Sequence, residues 1–425
     1  MRLAYSALLY LASPFLVLRL LMRGRKAPAY LNRWGQRFGY YGKDQPQGVI
    51  WFHTVSVGEA EAAFPLINKV LEQNPDTPFL VTTTTPTGSA RVKAFLGHRV
   101  HHVYLPYDLP GAMRRFYRRF KPKIAIILET EIWPNLLYQA KRNDVPTLIV
   151  NARLSEKSTR GYARLGSFMK QTLADITHVC AQTDTAAERF VQLGLPKDRV
   201  SVLGNIKFDI DMPASLQEQA EAIRRDWFQQ RPSWIAASTH DGEDEQVLKA
   251  FAVIKKTIPN ALLVLVPRHP ERFNEAAKMC KLNGFSVTRR NEHSGDVVKS
   301  DVFLLDAMGE LKLYYATVDV AYVGGSLVPT GGHNMLEPAS LAVPIVFGPH
   351  VFNFVEISDR LLSCDAAIQI SNADVLATVV TDLLEHSEKR STMGAAGKIF
   401  VEKNQGAVDA VSKKVQALLE QSKSQ

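Results

Sequence analysis

The sequence is poor in cysteine and lacks the common phosphate-loop signatures. Cys180, Cys280 and Cys364 are its three cysteines, odd in number, far apart and set in apolar surroundings. They build neither a disulfide frame nor a metal cage, and read as small core residues of a reduced compartment. No G-x-x-x-x-G-K-[ST] loop occurs, and no G-x-G-x-x-G follows the first apolar run. Zinc-finger spacing, a long basic tail, short-period repeats and low-complexity tracts are missing too. The net charge of +9 therefore points to an anionic membrane surface or a phosphorylated substrate, with nucleic acid the weakest option.

The 425 residues are 46% hydrophobic and 22% charged, a globular balance at a length that suggests two domains. Residues 3–18, LAYSALLYLASPFLVL, are almost wholly apolar; Arg19 interrupts, LLM follows, then RGRK. A bilayer span takes roughly 20 apolar residues, so the segment is marginal for crossing. A cleaved signal peptide carries its positive charges ahead of the apolar run, whereas most of them follow it here. The positive-inside tendency leaves residues 23 onward in the cytoplasm. The segment reads as a membrane anchor, spanning or lying in the interface, with Arg23, Arg25 and Lys26 attracted to anionic headgroups. A buried core helix is the alternative.

Behind it, two α/β halves follow one another. In the first, GVIWFHTV, PFLVTTTT, RVHHVYLPYD, KIAIILET, PTLIVNAR, ITHVCAQT and VSVLGN alternate with helix-like segments. A polar stretch at 213–231 intervenes. The pattern restarts with SWIAAST, ALLVLVPRH, DVFLLD, VDVAYVGGS, PIVFGP and AAIQIS, and a charged helical tail begins near 386. Near-continuous apolar runs separated by helices predict two parallel, doubly wound sheets buried on both faces. Ligands of such sheets bind beyond the carboxyl ends of the strands, so the polar residues that close each strand carry the functional information.

At the first such end, FHTVSVGEAEAAF turns from strand to helix. Ser56 and Gly58 let backbone amides approach a ligand, and Glu59 falls in the first helical turn. There it serves either as a carboxylate stabilised by the helix dipole or as a general base, with Glu61 as competitor on another face. The stretch ETEIWPNLL sets Glu129 and Glu131 after another strand. Asn151, Arg153, Ser155 and Lys157 form either a basic acceptor pocket or a solvated helix start. Lys207 follows Gly204. In the second half, Ser238, Thr239 and His240 end one strand, Arg268 and His269 the next, and Met308, Gly309 and Glu310 a third. Arginine offers a planar fork of donors suited to phosphate. The run GGSLVPTGGHNMLEPASLAVPIVFGPH, 324–350, places paired glycines before a helix expected near Asn334, an anion cradle with Glu337 one turn in. Asp209-x-Asp211 is formally a metal motif, but it sits near the interdomain stretch, and no catalytic metal is expected.

Taken together, HTVSVGE, TPTGS, YLPYDLP, ETEIWPNL, NARLS, KFD, PRHPERF, MGEL and GGHNMLEPA resemble the 3-deoxy-D-manno-octulosonic acid (Kdo) transferases of lipopolysaccharide biosynthesis, over nearly the whole chain. The resemblance implies a GT-B glycosyltransferase with two doubly wound domains facing a central cleft. It implies a membrane anchor at 1–26, an acceptor-binding domain at 27–212, a linker region at 213–231 and a donor-binding domain at 232–425. It implies CMP-Kdo as donor, the lipid A precursor (a phosphorylated, acylated glucosamine disaccharide) as acceptor, contact with inner-membrane lipids on the cytoplasmic side, and no cofactor. By resemblance, transfer inverts the anomeric centre, Glu59 is the general base, and Glu129 and Lys207 assist the transition state. CMP binding falls by the same route to Arg268, His269, Met308, Gly309, Glu310, Asn334, Met335, Leu336 and Glu337. The rival readings are a GT-B transferase of another nucleotide sugar, a sugar-nucleotide epimerase on the same twin-sheet scaffold, and an inactive membrane scaffold. An anchor argues against the epimerase.

Overall fold

Each of the seven apolar runs in the first half becomes a strand of one sheet. They are β1 (Ile50–His53), β2 (Phe79–Thr83), β3 (His101–Tyr104), β4 (Ile124–Leu128), β5 (Thr147–Ala152), β6 (His178–Ala181) and β7 (Val200–Val202). The computed structural model describes residues 1–210, 212, 213 and 215–421. All pairings are parallel, in the order β3-β2-β1-β4-β5-β6-β7. On β1, Trp51 sits between Leu80 and Ala125 of the neighbouring strands. Its side chain enters one core layer, while Ile50 and Phe52 enter the layer on the opposite face. That alternation, with no exposed residue on β1, β2, β4, β5 or β6, identifies a sheet covered on both sides.

The covering helices follow ordinary rules. Helix Val57–Gln73 starts at Ser56, whose hydroxyl accepts the Glu59 N–H, and buries Ala60, Ala63, Phe64, Ile67 and Val70 along one stripe.

The second sheet comprises β8 (Ser233–Thr239), β9 (Leu262–Pro267), β10 (Val287–Arg289), β11 (Val302–Leu304), β12 (Val320–Val323), β13 (Ile345–Phe347) and β14 (Ala367–Gln369). It too is all parallel, ordered β10-β11-β9-β8-β12-β13-β14. Trp234 and Ala236 pack on one face, Ile235 and Ala237 on the other. Six of these strands match expected runs. The seventh, β10, is a three-residue, half-buried edge strand whose apolar signal is a single valine.

The chain divides into Met1–Asp209 with the segment from Gln405 onward, and Ile210–Asn404. Two expected boundaries differ from this. The stretch at 213–231 belongs to the second unit: helix Leu216–Ala222 leads into a wider π turn, Phe228 packs on Phe303, and Arg224 bridges to Asp319 at 2.6 Å. The tail was expected in the second domain through residue 425. Instead helix Ala407–Gln421 sets Val408, Val411, Val415 and Leu418 into the first unit's core. An apolar stripe requires a core without saying which one. Asp209 fixes the return: its carboxylate accepts the N–H of Gly406 at 2.6 Å and of Val408 at 2.7 Å, at the start of that helix. Asp211, the second acid of the formal metal motif, lies outside the described residues.

Helix Arg2–Lys26 lies against the first unit and is not a core helix: Leu3, Leu8, Leu11, Phe15, Leu18 and Met22 are all exposed. Its inner face is anchored by polar groups. Tyr5 donates to Asp108 at 3.0 Å, and Arg2 and Ser6 donate to Asn135 Oδ1 at 3.2 and 3.1 Å.

One buried carboxylate organises the second unit. Glu243, wholly inaccessible, accepts from the backbone of His240, Gly325, Ser326 and Leu327 and from the Tyr322 hydroxyl, at 2.6–2.9 Å. It ties the loop after β8 to the turn after β12. Removing it strands five donors, so Glu243→Ala is expected to lower the second unit's stability by about 3–5 kcal/mol, read by chemical denaturation.

Candidate active site

In both sheets the strand order reverses once, between β1 and β4 in the first and between β8 and β12 in the second. At such a switch point the loops leaving the two central strands run to opposite faces and open a crevice at the carboxyl edge. The residues singled out from the sequence gather at these two edges.

In the first unit, Glu59 follows β1 and Glu129 and Glu131 follow β4. Glu59 accepts from the Val55 N–H at 2.7 Å and from the Ser56 hydroxyl at 2.9 Å. Among the described residues, no lysine, arginine or histidine pairs with it. Burial pushes its pKa up; the bonds from Val55 and Ser56 oppose this, and the nearby Glu129 and Glu131 add to it. The contest between helix N-terminus and burial, open in the sequence, falls to burial. Every neighbouring acid is otherwise engaged. Glu61, the competitor, is bridged by Arg91 at 2.7 Å. Glu129 lies between Lys207 at 3.4 Å and Arg153 at 3.6 Å. Glu131 accepts the Trp133 indole N–H at 2.6 Å, and its pKa too is raised, chiefly by burial.

The backbone around these groups is unusual. Glu129 and Asn151 both have φ of +58°, which non-glycine residues rarely adopt, and at Asn151 the β5–β6 register slips. Asn151 uses its side chain to accept the Ile206 N–H at 3.1 Å, fixing the short turn that presents Lys207. The NARLS stretch is thus partly structural: Ser155 caps helix Glu156–Ala163, and Arg153 faces Glu129. His53 lies beneath, wholly buried, its pKa lowered to about 3 by desolvation.

In the second unit the same edge is cationic. Arg268 follows β9, and its guanidinium has no carboxylate partner among the described residues. His240 follows β8 and places its Nε2 2.8 Å from Nε2 of His333, the rings nearly parallel. One ring must donate and the other accept, so the pair cannot be doubly protonated. Burial, then Arg268 and the neighbouring histidines, lowers His333 to about 3. His269 stands edge-on to His240 at 5.3 Å between ring centroids. Ser238, at the end of β8, repeats the strained backbone of the first unit, with φ of +58° and a register slip.

The remaining expected donor residues are placed unequally. Met308 and Gly309 are exposed after β11, the strand beside β9, and Glu310 forms a two-point bridge to Arg290 at 2.8 and 3.2 Å. Met335 and Leu336 are fully buried, so their side chains belong to the core and only their backbone can meet a ligand. The expected anion cradle is weaker than its sequence suggests. Helix Leu336–Ser340 has five residues and a small dipole, and Asn334 Oδ1 already accepts the Leu336 N–H at 3.1 Å. Glu337 lies half-buried in its first turn. Gly325 and Gly331, with φ of +66° and +102°, shape the preceding loop. Sequence reasoning missed the parts played by Glu243 and His333. The acidic helix start DGEDE and the GGHN run held them in plain view, but neither burial nor pairing is legible there.

The model of the 3-deoxy-D-manno-octulosonic-acid transferase (kdotransferase) domain family matches residues 32–210. The chain is 41% identical over 411 residues to the 3-deoxy-D-manno-octulosonic acid transferase of Haemophilus influenzae, covering 96% of each chain. It is 34% identical over 418 residues to that of Bordetella pertussis, covering 95% of this chain and 96% of that one. Among solved structures, the UDP-GlcNAc 2-epimerase of Neisseria meningitidis aligns with a TM-score of 0.55 over 88% of this chain and 99% of that one. Its identity of 14% makes that a likeness of fold alone, the twin doubly wound sheets of the GT-B architecture. Identity that high along nearly its whole length shows that the chain belongs to the Kdo transferase family, a family of glycosyltransferases.

Proposed function

We propose that this protein transfers Kdo from CMP-Kdo to the lipid A precursor in lipopolysaccharide biosynthesis, at the cytoplasmic face of the inner membrane, with Glu59 as general base. The observation that carries the mechanism is the uncompensated Glu59. Among the described residues Glu61 and Glu129 are bridged by cations while Glu59 and Glu131 are not. Glu131 is held by the Trp133 indole, and Glu59, bound only within its own turn at the end of β1, is the carboxylate assigned to take the proton. Its raised pKa makes it the stronger base once ionised.

In the proposed step the acceptor's sugar hydroxyl attacks the anomeric carbon of Kdo. The bond from that carbon to the CMP phosphate oxygen breaks, CMP leaves with the electron pair, and the hydroxyl proton passes to Glu59. One base opposite the leaving group gives inversion. Cleavage that runs ahead of attack leaves an oxocarbenium-like centre, for which a carboxylate is an adequate base. Lys207 and Glu129 assist that charge redistribution, paired with each other, with Arg153 as the second cation on Glu129. On the donor side, Arg268, without a carboxylate partner among the described residues, faces the CMP phosphate with His269 beside it, which favours an anion. Met308, Gly309 and Glu310 and the backbone of 334–337 complete the proposed nucleotide site.

The test is transfer by the purified, detergent-solubilised protein, with tetraacylated disaccharide bisphosphate as acceptor and CMP-Kdo generated in situ. A product heavier by one or more Kdo residues is expected; transfer from a UDP-sugar instead would overturn the donor assignment. Glu59→Ala should lower kcat by roughly 10²–10⁴-fold, the range for loss of a general base, while CMP still raises its melting temperature as in the unaltered protein. Arg268→Ala should show the opposite split, with KM for the donor raised at least tenfold and the CMP-induced thermal shift lost.

A further inference from the structure

Helix Arg2–Lys26 carries more information than its hydropathy. It is the one helix among the described residues long and apolar enough to cross a bilayer, with mean hydropathy 1.6 over its 18-residue apolar window. Its burial pattern argues against crossing. Residues 2, 5, 6, 9, 12, 13, 16, 17, 20 and 24 are partly or wholly buried, and the positions between them are largely exposed. That spacing marks one continuous face turned to the first unit, with Ser6, Leu20 and Gly24 buried on it and the other positions partly so. The contacts on it include polar ones. Besides Arg2, Tyr5 and Ser6, the Tyr10 hydroxyl accepts the Gly111 N–H at 3.1 Å, and the Arg2 guanidinium lies 3.4 Å from the centre of the Tyr138 ring. A helix standing along the membrane normal would draw Asp108, Asn135 and the starts of helices Pro110–Phe120 and Pro134–Arg142 into hydrocarbon.

The outward face is apolar and, among the described residues, uncovered. Leu8, Leu11, Phe15, Leu18 and Met22 recur at alternating steps of three and four, flanked by Leu3 and Leu21. Arg19, Arg23 and Arg25 are exposed towards the C-terminal end of the helix, and residues 1–43 contain no aspartate or glutamate. An apolar stripe accompanied only by positive charge complements an anionic lipid surface. A second copy of the chain fits less well, since two such helices side by side would bring like charges together.

We infer that this helix does not span the membrane. It lies in the plane of one leaflet, pinned along its inner face to the first unit, and buries its outer stripe at the headgroup–acyl boundary. Its N-terminus therefore stays on the same side as the catalytic units. This goes beyond the transfer reaction, and its test does not read activity, so failure of either can be told from failure of the other.

The test uses the full chain with Cys364→Ser, Cys180 and Cys280 being buried. Nitroxide labels are attached to single cysteines replacing Leu3, Leu11, Phe15 or Met22. These exposed positions leave the docked face intact. In vesicles of phosphatidylethanolamine and phosphatidylglycerol, collision with oxygen against a water-soluble nickel chelate gives each label's depth. The inference predicts all four at one shallow depth, within about 5 Å of one another and about 5–10 Å below the headgroups. A spanning helix would separate Leu3 from Met22 by about 28 Å along the normal, at 1.5 Å per residue, with Leu11 and Phe15 deepest. That gradient overturns the inference. So does full exposure of the labels to the chelate, or spin–spin broadening between copies without oxygen contact, which would give the face to a second chain.

Discussion

An all-parallel sheet delivers the carboxyl ends of its strands to one edge, and both halves of this chain are built on that constraint. The central strands are buried on both faces and carry no charged side chain, unlike edge strands such as the half-buried β10 with its Arg289. Polar chemistry is confined to the edge, most of all where the winding reverses and two loops part. Glu59 and Glu129 lie on either side of the first reversal; His240 and the Gly324–Gly325 turn lie on either side of the second. Three of the non-glycine residues with positive φ, Glu129, Asn151 and Ser238, stand at the carboxyl ends of strands. Such strain persists only where surrounding bonds over-determine it. Here those bonds include the Asn151 side chain on Ile206 and, close to Ser238, the five-fold grip of Glu243.

The two edges carry opposite surplus charge. In the first unit, among the described residues, Glu59 and Glu131 have no cation partner while Glu61 and Glu129 are each bridged. In the second, Arg268 is left without an acid while Arg272 is tied to Asp244 at 2.6 Å, Arg289 to Asp306 at 2.7 Å and Arg290 to Glu310. Pairing serves structure; the groups without a partner among the described residues are the ones proposed to meet substrate. The proposed transfer calls for a base to take a proton and a cation to receive a departing phosphate, and the surplus falls on residues of those two types.

Much of this was legible in the sequence because the informative signals are short-range. Thirteen of the fourteen strands follow from apolar runs, and β10 escaped because a half-buried edge strand needs little hydrophobicity. Glu59 was legible from its place between a strand and a helix. What stayed hidden depends on contacts distant in the chain. The return of Ala407–Gln421 to the first unit rests on a bond from Asp209, 197 residues away, to Gly406. The Glu243 hub joins residues 79 to 84 positions apart, and the His240–His333 pair spans 93. The motif GGHNMLEPA suggested a helix N-terminus that the structure reduces to a single capped turn, with Met335 and Leu336 turned into the core.

The central claim is that Glu59 takes the acceptor's proton, and the pH dependence of kcat/KM for transfer tests it most directly. A base must be ionised to act, and burial raises the pKa of Glu59, so activity should fall with acid at a pH above the ordinary glutamate range. The residual rate of Glu59→Gln should be flat across that same interval. An acid limb at the same position in Glu59→Gln, with most of the rate retained, would contradict the account and assign the titration to another group.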